Sequence, residues 1–450
     1  MEYKEFLDNK DFRHESAGFI VDKLEYPLFD YQDPIVKWAL KRGKAAIFAD
    51  TGLGKTIMQL AWANEVYKHT SKSVLILSPL AVSNQTINEG KKYGIDVKKA
   101  GVKNEGVVII NYEQLHNFDY KDFSGLVVDE SSILKGMNGK RRQEITDFAR
   151  NIPYRLSCTA TPSPNDFMEL GTQCEFLGIM SQIEMLAMFF IHDGSDTSKW
   201  RLKGHGVAKF FKWLATWSIV IKSPADIGFN GDSHNLPDIE YYSHVVESET
   251  EDALFVEYAQ GLLDRNRARK DSVDDRVAIA AKIANSMTGQ ILIWCNLNEE
   301  SEKLTKSIND AVEVKGSDKP EHKTNSLIGF STGEVRVLVS KPKIAGFGMN
   351  WQNCNQMIFV GLSDSWESYY QAVRRCWRFG QKNTVHVHVV SAESEGAVID
   401  NIKRKDDQNN TLGKEMVKHM SYFMDSEIFN STTTKTEYEP TKKMELPSWI

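Results

Sequence analysis

The feature that most narrows what this chain can fold into is a junction near residue 50. A run of buried-strand character, KAAIFAD at 44–50, leads directly into Ala49-Asp50-Thr51-Gly52-Leu53-Gly54-Lys55-Thr56. The chain then continues with Ile57, Leu60 and Ala61 at helical spacing. Small residues between a strand and a helix let backbone N–H groups wrap a phosphate, and the helix N-terminus adds its dipole. Thr51, Gly52, Leu53 and Gly54 provide that backbone. Lys55 is placed to neutralise the outer phosphates, and the Thr56 hydroxyl is suited to hold Mg²⁺. The strict G-x-x-x-x-G-K-[ST] pattern is missed by one residue, because Ala49 replaces its first glycine. A strand feeding a phosphate-binding turn and then a helix is the opening of a parallel α/β sheet.

The rest of the chain repeats that grammar twice. In the first half, apolar runs at 44–50, 74–79, 107–112, 126–130 and 154–159 read as strands buried on both faces. A second series follows at 290–295, 335–340, 356–361 and 385–390. Two tandem α/β lobes, each a parallel sheet flanked by helices, are the economical fold class. The stretch 165–235 has no clear strand run. Its Phe210, Trp213, Leu214 and Trp217 fall at i, i+3, i+4 and i+7, so it reads as a helical insertion with an apolar core face. The expected domains are a first lobe over 1–164, the insertion over 165–235, a second lobe over 236–404 and a polar, partly flexible tail over 405–450.

A phosphate site needs acidic partners, and Leu126-Val127-Val128-Asp129-Glu130 is a strand-like run ending in two carboxylates 74 residues after Lys55. Asp129 is the candidate Mg²⁺ ligand, and Glu130 the candidate base that orients and deprotonates water. In the second lobe, Gln371-Ala372-Val373-Arg374-Arg375-Cys376-Trp377-Arg378-Phe379-Gly380-Gln381 is the most specific stretch. A helix there puts Gln371, Arg375 and Arg378 on one face, with Arg374 off it and structural. Guanidinium groups fork onto phosphate oxygens, so Arg375 and Arg378 are candidates to stabilise charge on a nucleotide held by the other lobe. Hydrolysis would then couple to opening and closing of a cleft.

Bulk properties exclude several classes. The net charge is −6, so an anionic partner must meet a local basic surface rather than a basic chain. Lys140-Arg141-Arg142 and RNRARK at 265–270 are such clusters, read by default as solvated. No apolar run approaches the roughly 18 residues of a membrane helix, and the polar start is unlike a signal peptide. The five cysteines are scattered without a CxxC, which points to a reducing compartment rather than a disulfide or zinc framework.

Together these residues resemble superfamily-two nucleic-acid helicases, in particular the Swi/Snf-like translocase branch and its bacteriophage-encoded relatives, over about residues 28–395. The resemblance implies that Phe29-Asp30-Tyr31-Gln32 reads adenine, with Tyr31 and Gln32 at the base. Ser78-Pro79 and Asn111-Tyr112-Glu113 resemble the nucleic-acid-contacting motifs of the first lobe. Ser157-Cys158-Thr159-Ala160-Thr161-Pro162 resembles the motif linking ATP state to the nucleic-acid groove. Residues 291–296 resemble motif four, and 340–352 (SKPKIAGFGMNWQ) motif five, with Gly348 and Asn350 implied as nucleotide contacts and Lys341 and Lys343 as DNA contacts. The QAxxRxxRxGQ pattern at 371–381 is typical of the Swi/Snf-like branch.

Two positions depart from that pattern. Ser131 stands where His usually follows Asp-Glu, and Ser340-Lys341-Pro342-Lys343 replaces Ser/Thr-Thr-Arg. The implied activity is an ATP- and Mg²⁺-dependent motor on DNA, held mainly through phosphates, in the cytoplasm of a bacterial or phage-infected cell. An RNA helicase, the motor subunit of a restriction or defence complex, and a non-catalytic nucleic-acid-binding scaffold remain as alternatives.

Overall fold

The computed structural model describes residues 16–101, 104–136, 139–193, 196–246, 272–345, 349–363, 365–392 and 396–427. The first lobe is built on strands β1 (Lys44–Ala49), β2 (Val74–Ser78), β3 (Val97–Lys99), β4 (Val107–Asn111), β5 (Gly125–Asp129) and β6 (Tyr154–Cys158). After a separate antiparallel hairpin, β7 (Phe190–Asp193) with β8 (Asp196–Leu202), strand β9 (Ser218–Ile221) returns to the same sheet. All neighbours in that seven-stranded sheet are parallel, in the order β3-β4-β2-β5-β6-β1-β9. The second lobe carries β10 (Ile239–Val246), β11 (Ile291–Cys295), β12 (Ala311–Val314), β13 (Val337–Ser340), β14 (Gln356–Val360) and β15 (Val385–Ala392). They form a six-stranded parallel sheet in the order β10-β15-β14-β11-β13-β12.

Strand order positions the site. In the first sheet β5, β6 and β1 are adjacent, so the carboxylates after β5, the Thr159 loop after β6 and the phosphate loop after β1 share one edge. Ligands of open α/β sheets bind beyond the carboxyl ends of the strands, and this edge faces the second lobe. Five helices matter below: α1 (Gln32–Arg42), α2 (Lys55–Thr70), α3 (Val207–Ala215), α4 (Trp366–Val373) and α5 (Gly396–Glu427). No described helix is long and apolar enough to cross a membrane.

Two features of chain organisation go beyond the expected domains. Residues 165–235 are not only a helical insertion, because β9 pairs with β1 and extends the first sheet. The aromatic stripe is core, as expected: Phe210, Trp213, Leu214 and Trp217 are all buried in the first-lobe cluster. The strand SIVI directly after Trp217 was hidden by that stripe, since helix and buried strand are both apolar there. The expected polar tail is also ordered over 405–427, where it continues α5. Val398 and Ile402 of α5 pack in the second-lobe core, whereas Leu412 and Met416 are buried in the first. One helix therefore ties both lobes. Residues 428–450 lie outside the described residues.

Candidate nucleotide site between the lobes

The phosphate loop has the backbone its sequence requires. Gly52 and Gly54 take φ of +94° and +74°, a region that residues with a Cβ rarely adopt. A Cβ on Gly54 would also meet Gln32 Nε2 at 2.3 Å, so the glycine makes room for the Gln32 side chain. Lys55 opens α2, and its Nζ donates to the Ala49 carbonyl at 2.8 Å. Thr51 N–H donates to Asp50 Oδ1 at 2.6 Å. Thr56 is half-buried on the first turn of α2.

Gln32 begins α1 with only 1% of its surface exposed. Its Nε2 donates to the Leu53 carbonyl at 3.0 Å and its Oε1 accepts from Phe29 N–H at 3.0 Å. Tyr31 donates to the same Leu53 carbonyl at 3.0 Å. A base read by Gln32 would therefore exchange for these bonds. His234, from the connection between lobes, meets Tyr31 edge-on at 5.2 Å and stacks on Phe379 of the second lobe at 4.8 Å. Nothing in the sequence marked His234.

Asp129 ends β5 and is 6% exposed. Burial, followed by the adjacent Glu130 charge, pushes its carboxyl up to about 7. Glu130 has φ of +53°, which is rare for a residue with a side chain and common at functional sites. Its Oε2 accepts from the Thr159 hydroxyl at 3.3 Å. A buried carboxylate with a half-buried one beside it, next to a lysine and a threonine hydroxyl, fits a hard divalent cation, which Thr56 and Asp129 would hold. Among the described residues no cluster of three or more His, Cys, Asp or Glu could hold a metal alone.

The arginine stretch differs from expectation. Helix α4 ends at Val373, and Arg374–Arg378 form tight turns: Cys376 N–H bonds Val373 O at 3.2 Å, and Gln381 N–H bonds Arg378 O at 3.0 Å. Further bonds tie these turns down. Trp351 N–H bonds Arg375 O at 2.9 Å, and Gln381 Nε2 bonds Cys354 O at 2.9 Å and Cys376 O at 3.3 Å. Arg375 is held inside its own lobe by Gln371 O, Gln371 Oε1 and Met349 O, at 3.0, 3.0 and 3.1 Å. Burial lowers its pKa, with Glu130 acting in the opposite sense across the cleft. Arg378 pairs with Asn350 and is brought down to about 10 by burial and then by Arg375. Arg374, read as structural from the helical wheel, is the residue that reaches the phosphate loop: it makes an ion pair with Asp50. The Tyr370 hydroxyl donates to the same carboxylate.

The expected nucleic-acid contacts fall into two groups. Tyr112 is buried, and its hydroxyl donates to Asp129 O. Ser78 is fully buried against the Ser83 hydroxyl at 2.9 Å, while Pro79 caps the following helix. Asn111 caps a turn by accepting from Gln114 N–H at 3.1 Å. Lys341 and Lys343 are accessible, with Lys341 Nζ bonded to Asn298 Oδ1 at 2.7 Å. Arg141 and Arg142 are tied to Tyr112 O and Glu175 at 2.8 and 2.7 Å. Gly348 and the cluster at 265–270 lie outside the described residues.

Residues 29–170 match the family described as DEAD/DEAH box helicase, and residues 275–380 match the helicase conserved C-terminal domain. No curated protein matches the chain. These two domains, on two parallel-sheet lobes, support a superfamily-two helicase, an ATP-hydrolysing class that binds nucleic acid.

Proposed function

We propose that this protein is an ATP- and Mg²⁺-dependent DNA translocase of the Swi/Snf-like branch, gripping DNA through phosphates and remodelling duplex, forked or branched structures. The observation that carries the reading is the contact of second-lobe Arg374 and Tyr370 with Asp50 in the first-lobe phosphate loop. Because the second lobe touches the loop itself, any change there is felt by the other lobe. Lys55 and the glycine turn would bind the phosphates, and Gln32 and Tyr31 the base. Glu130 would take the proton of the attacking water, with Thr159 fixing one of its oxygens. Mg²⁺ at Thr56 and Asp129 would supply charge neutralisation at the phosphates. Arg375 and Arg378 would stabilise charge on the nucleotide from the second lobe after leaving their present partners Gln371, Met349 and Asn350.

DNA is favoured over RNA by the QAxxRxxRxGQ pattern. The test is ATP turnover measured with duplex DNA, single-stranded DNA, forks, four-way junctions and RNA. Duplex-containing DNA should stimulate at least as well as single strands and better than RNA. Stronger stimulation by RNA would overturn the DNA reading and leave the ATPase standing.

A further inference from the structure

Three side chains fall at i, i+3 and i+7 on α4 and its exit turn: Glu367, Tyr370 and Arg374. All three meet the first lobe. Glu367 pairs with Lys135 and accepts from the Thr161 hydroxyl at 3.3 Å. Tyr370 and Arg374 both engage Asp50. The guanidinium of Arg374 also lies 4.4 Å from the Trp377 ring centre and 5.3 Å from that of Tyr370, which fixes the plane of its fork.

These contacts end at opposite sides of the site. Asp50 opens the phosphate loop. Thr161 N–H donates to the Thr159 hydroxyl at 3.1 Å, and that hydroxyl donates to Glu130 Oε2 at 3.3 Å. One helix face thus touches the phosphate grip and, through two threonines, the hydrolytic base. The parallel face, with Gln371 and Arg375, is bonded inside its own lobe.

We infer that Glu367, Tyr370 and Arg374 form a positioning face that aligns the phosphate loop and Glu130 together when the second lobe docks. This rests on ATP being hydrolysed at Lys55 and Glu130. Asp50 and Arg374 are 7% and 5% exposed, so a slight separation would leave two buried charges short of both partner and water. Such a pair favours a fully docked or a fully open, hydrated arrangement over intermediate ones. The carboxylate rotation of Glu130 is set by the same event, because Thr161 is held by Glu367 on one side and Thr159 on the other.

The experiment is steady-state ATP hydrolysis by the full chain, with and without duplex DNA, for Arg374→Ala, Arg374→Lys, Glu367→Gln, Asp50→Asn and the Asp50→Asn/Arg374→Ala double variant. Arg374→Ala should lower kcat roughly 10- to 100-fold and change the KM for ATP by no more than about 3-fold. Arg374→Lys, which keeps the charge, should recover part of kcat. The double variant should be no slower than the slower single, as expected for two halves of one contact. Glu367→Gln, distant from the ion pair, should also lower kcat with little change in KM. Wild-type kcat in both Arg374→Ala and Glu367→Gln would overturn the inference, as would fully multiplicative effects of Asp50→Asn and Arg374→Ala. Lys55→Ala separates the two kinds of failure. If it turns over like wild type, the ATP site is misplaced and the inference falls with it; if it is dead while Arg374→Ala and Glu367→Gln are both normal, the site stands and the positioning face alone fails.

Discussion

The two halves of the nucleotide site are organised in opposite ways. In the first lobe, polar groups are held by near neighbours: Lys55 by Ala49, Thr51 by Asp50, Glu130 N–H by Asp129. In the second, the important contacts are long-range, with Arg374 meeting Asp50 across 324 positions and Glu367 meeting Thr161 across 206. The first half is built within one lobe, from the ends of β1, β5 and β6 on a single sheet edge. The second acquires its meaning only when two lobes are docked. Chemistry that belongs to the first half should be lost outright on mutation, whereas changes in the second should grade it.

The largest effects are therefore expected in the first lobe. Lys55→Ala removes the charge on the outer phosphates and should abolish measurable ATP hydrolysis. On the proposed roles, Glu130→Gln spares Asp129 for the metal and removes the base, so turnover should fall about 10²- to 10⁴-fold while nucleotide still binds. Both are read from phosphate release alongside binding of a fluorescent ATP analogue. Rapid turnover by Glu130→Gln would put the base elsewhere and erase the contrast between the lobes.

A second comparison is between the expected tail and the helix found there. Met416 is fully buried in the first-lobe core although it lies in a segment whose composition reads as solvated. Met416→Ala should cost about 2–5 kcal/mol, the usual range for emptying such a site. Denaturant unfolding measures it. An unchanged midpoint would mean that α5 contributes nothing to the first lobe.

What the sequence disclosed follows the same division. Central strands were legible because a parallel sheet buries both faces, which leaves uninterrupted apolar runs such as VLILS in β2. The edge strands β3 (VKK) and β12 (AVEV) and the exposed β10 escaped for the converse reason: one side has no strand to cover it, so the pattern is mixed. Lys55, Asp129 and Glu130 were singled out from their strand and turn context, and the structure puts the strands that lead to them, β1 and β5, on either side of β6. The contact of Arg374 with Asp50 escaped because a helical wheel orders residues around a helix without saying which face meets the other lobe. Glu367, Tyr370 and Arg374 satisfy a helical spacing as well as Gln371, Arg375 and Arg378 do, and only docking distinguishes the two sets.

A smaller effect concerns nucleic acid. Lys341 and Lys343 stand at the start of the second lobe's unusual motif five and remain accessible. If each meets one phosphate, replacing both with Ala should flatten the salt dependence of DNA affinity by up to about two units of log–log slope. ATP turnover without DNA is the control for the nucleotide site. An unchanged slope would make this loop a solvated surface and return the DNA grip to the first lobe.

The smallest expected effect is acid sensitivity at the edge of the second sheet. His388 on β15 sits with its Nδ1 3.0 Å from His244 Nε2 of β10, and the Tyr242 ring stacks on it at 4.7 Å. His386 lies on the same strand and is paired with Glu240 at 3.3 Å. Burial, then the neighbouring His244 and His386, lower the pKa of His388 to about 4, against the ordinary value of 6.5. Between those values the unfolded chain binds the proton and the folded chain does not. The contribution is thus fully present above pH 6.5 and is lost as the pH falls through the folded value near 4. Lowering the pH from about 7 to about 5 should reduce the melting temperature by a few degrees, and His388→Gln should recover part of that loss. The Gln variant keeps hydrogen-bonding capacity toward His244 but has no proton to gain. If wild type and His388→Gln lose the same number of degrees on acidification, the sensitivity lies in other groups, and the histidine edge does not distinguish the second lobe from the first.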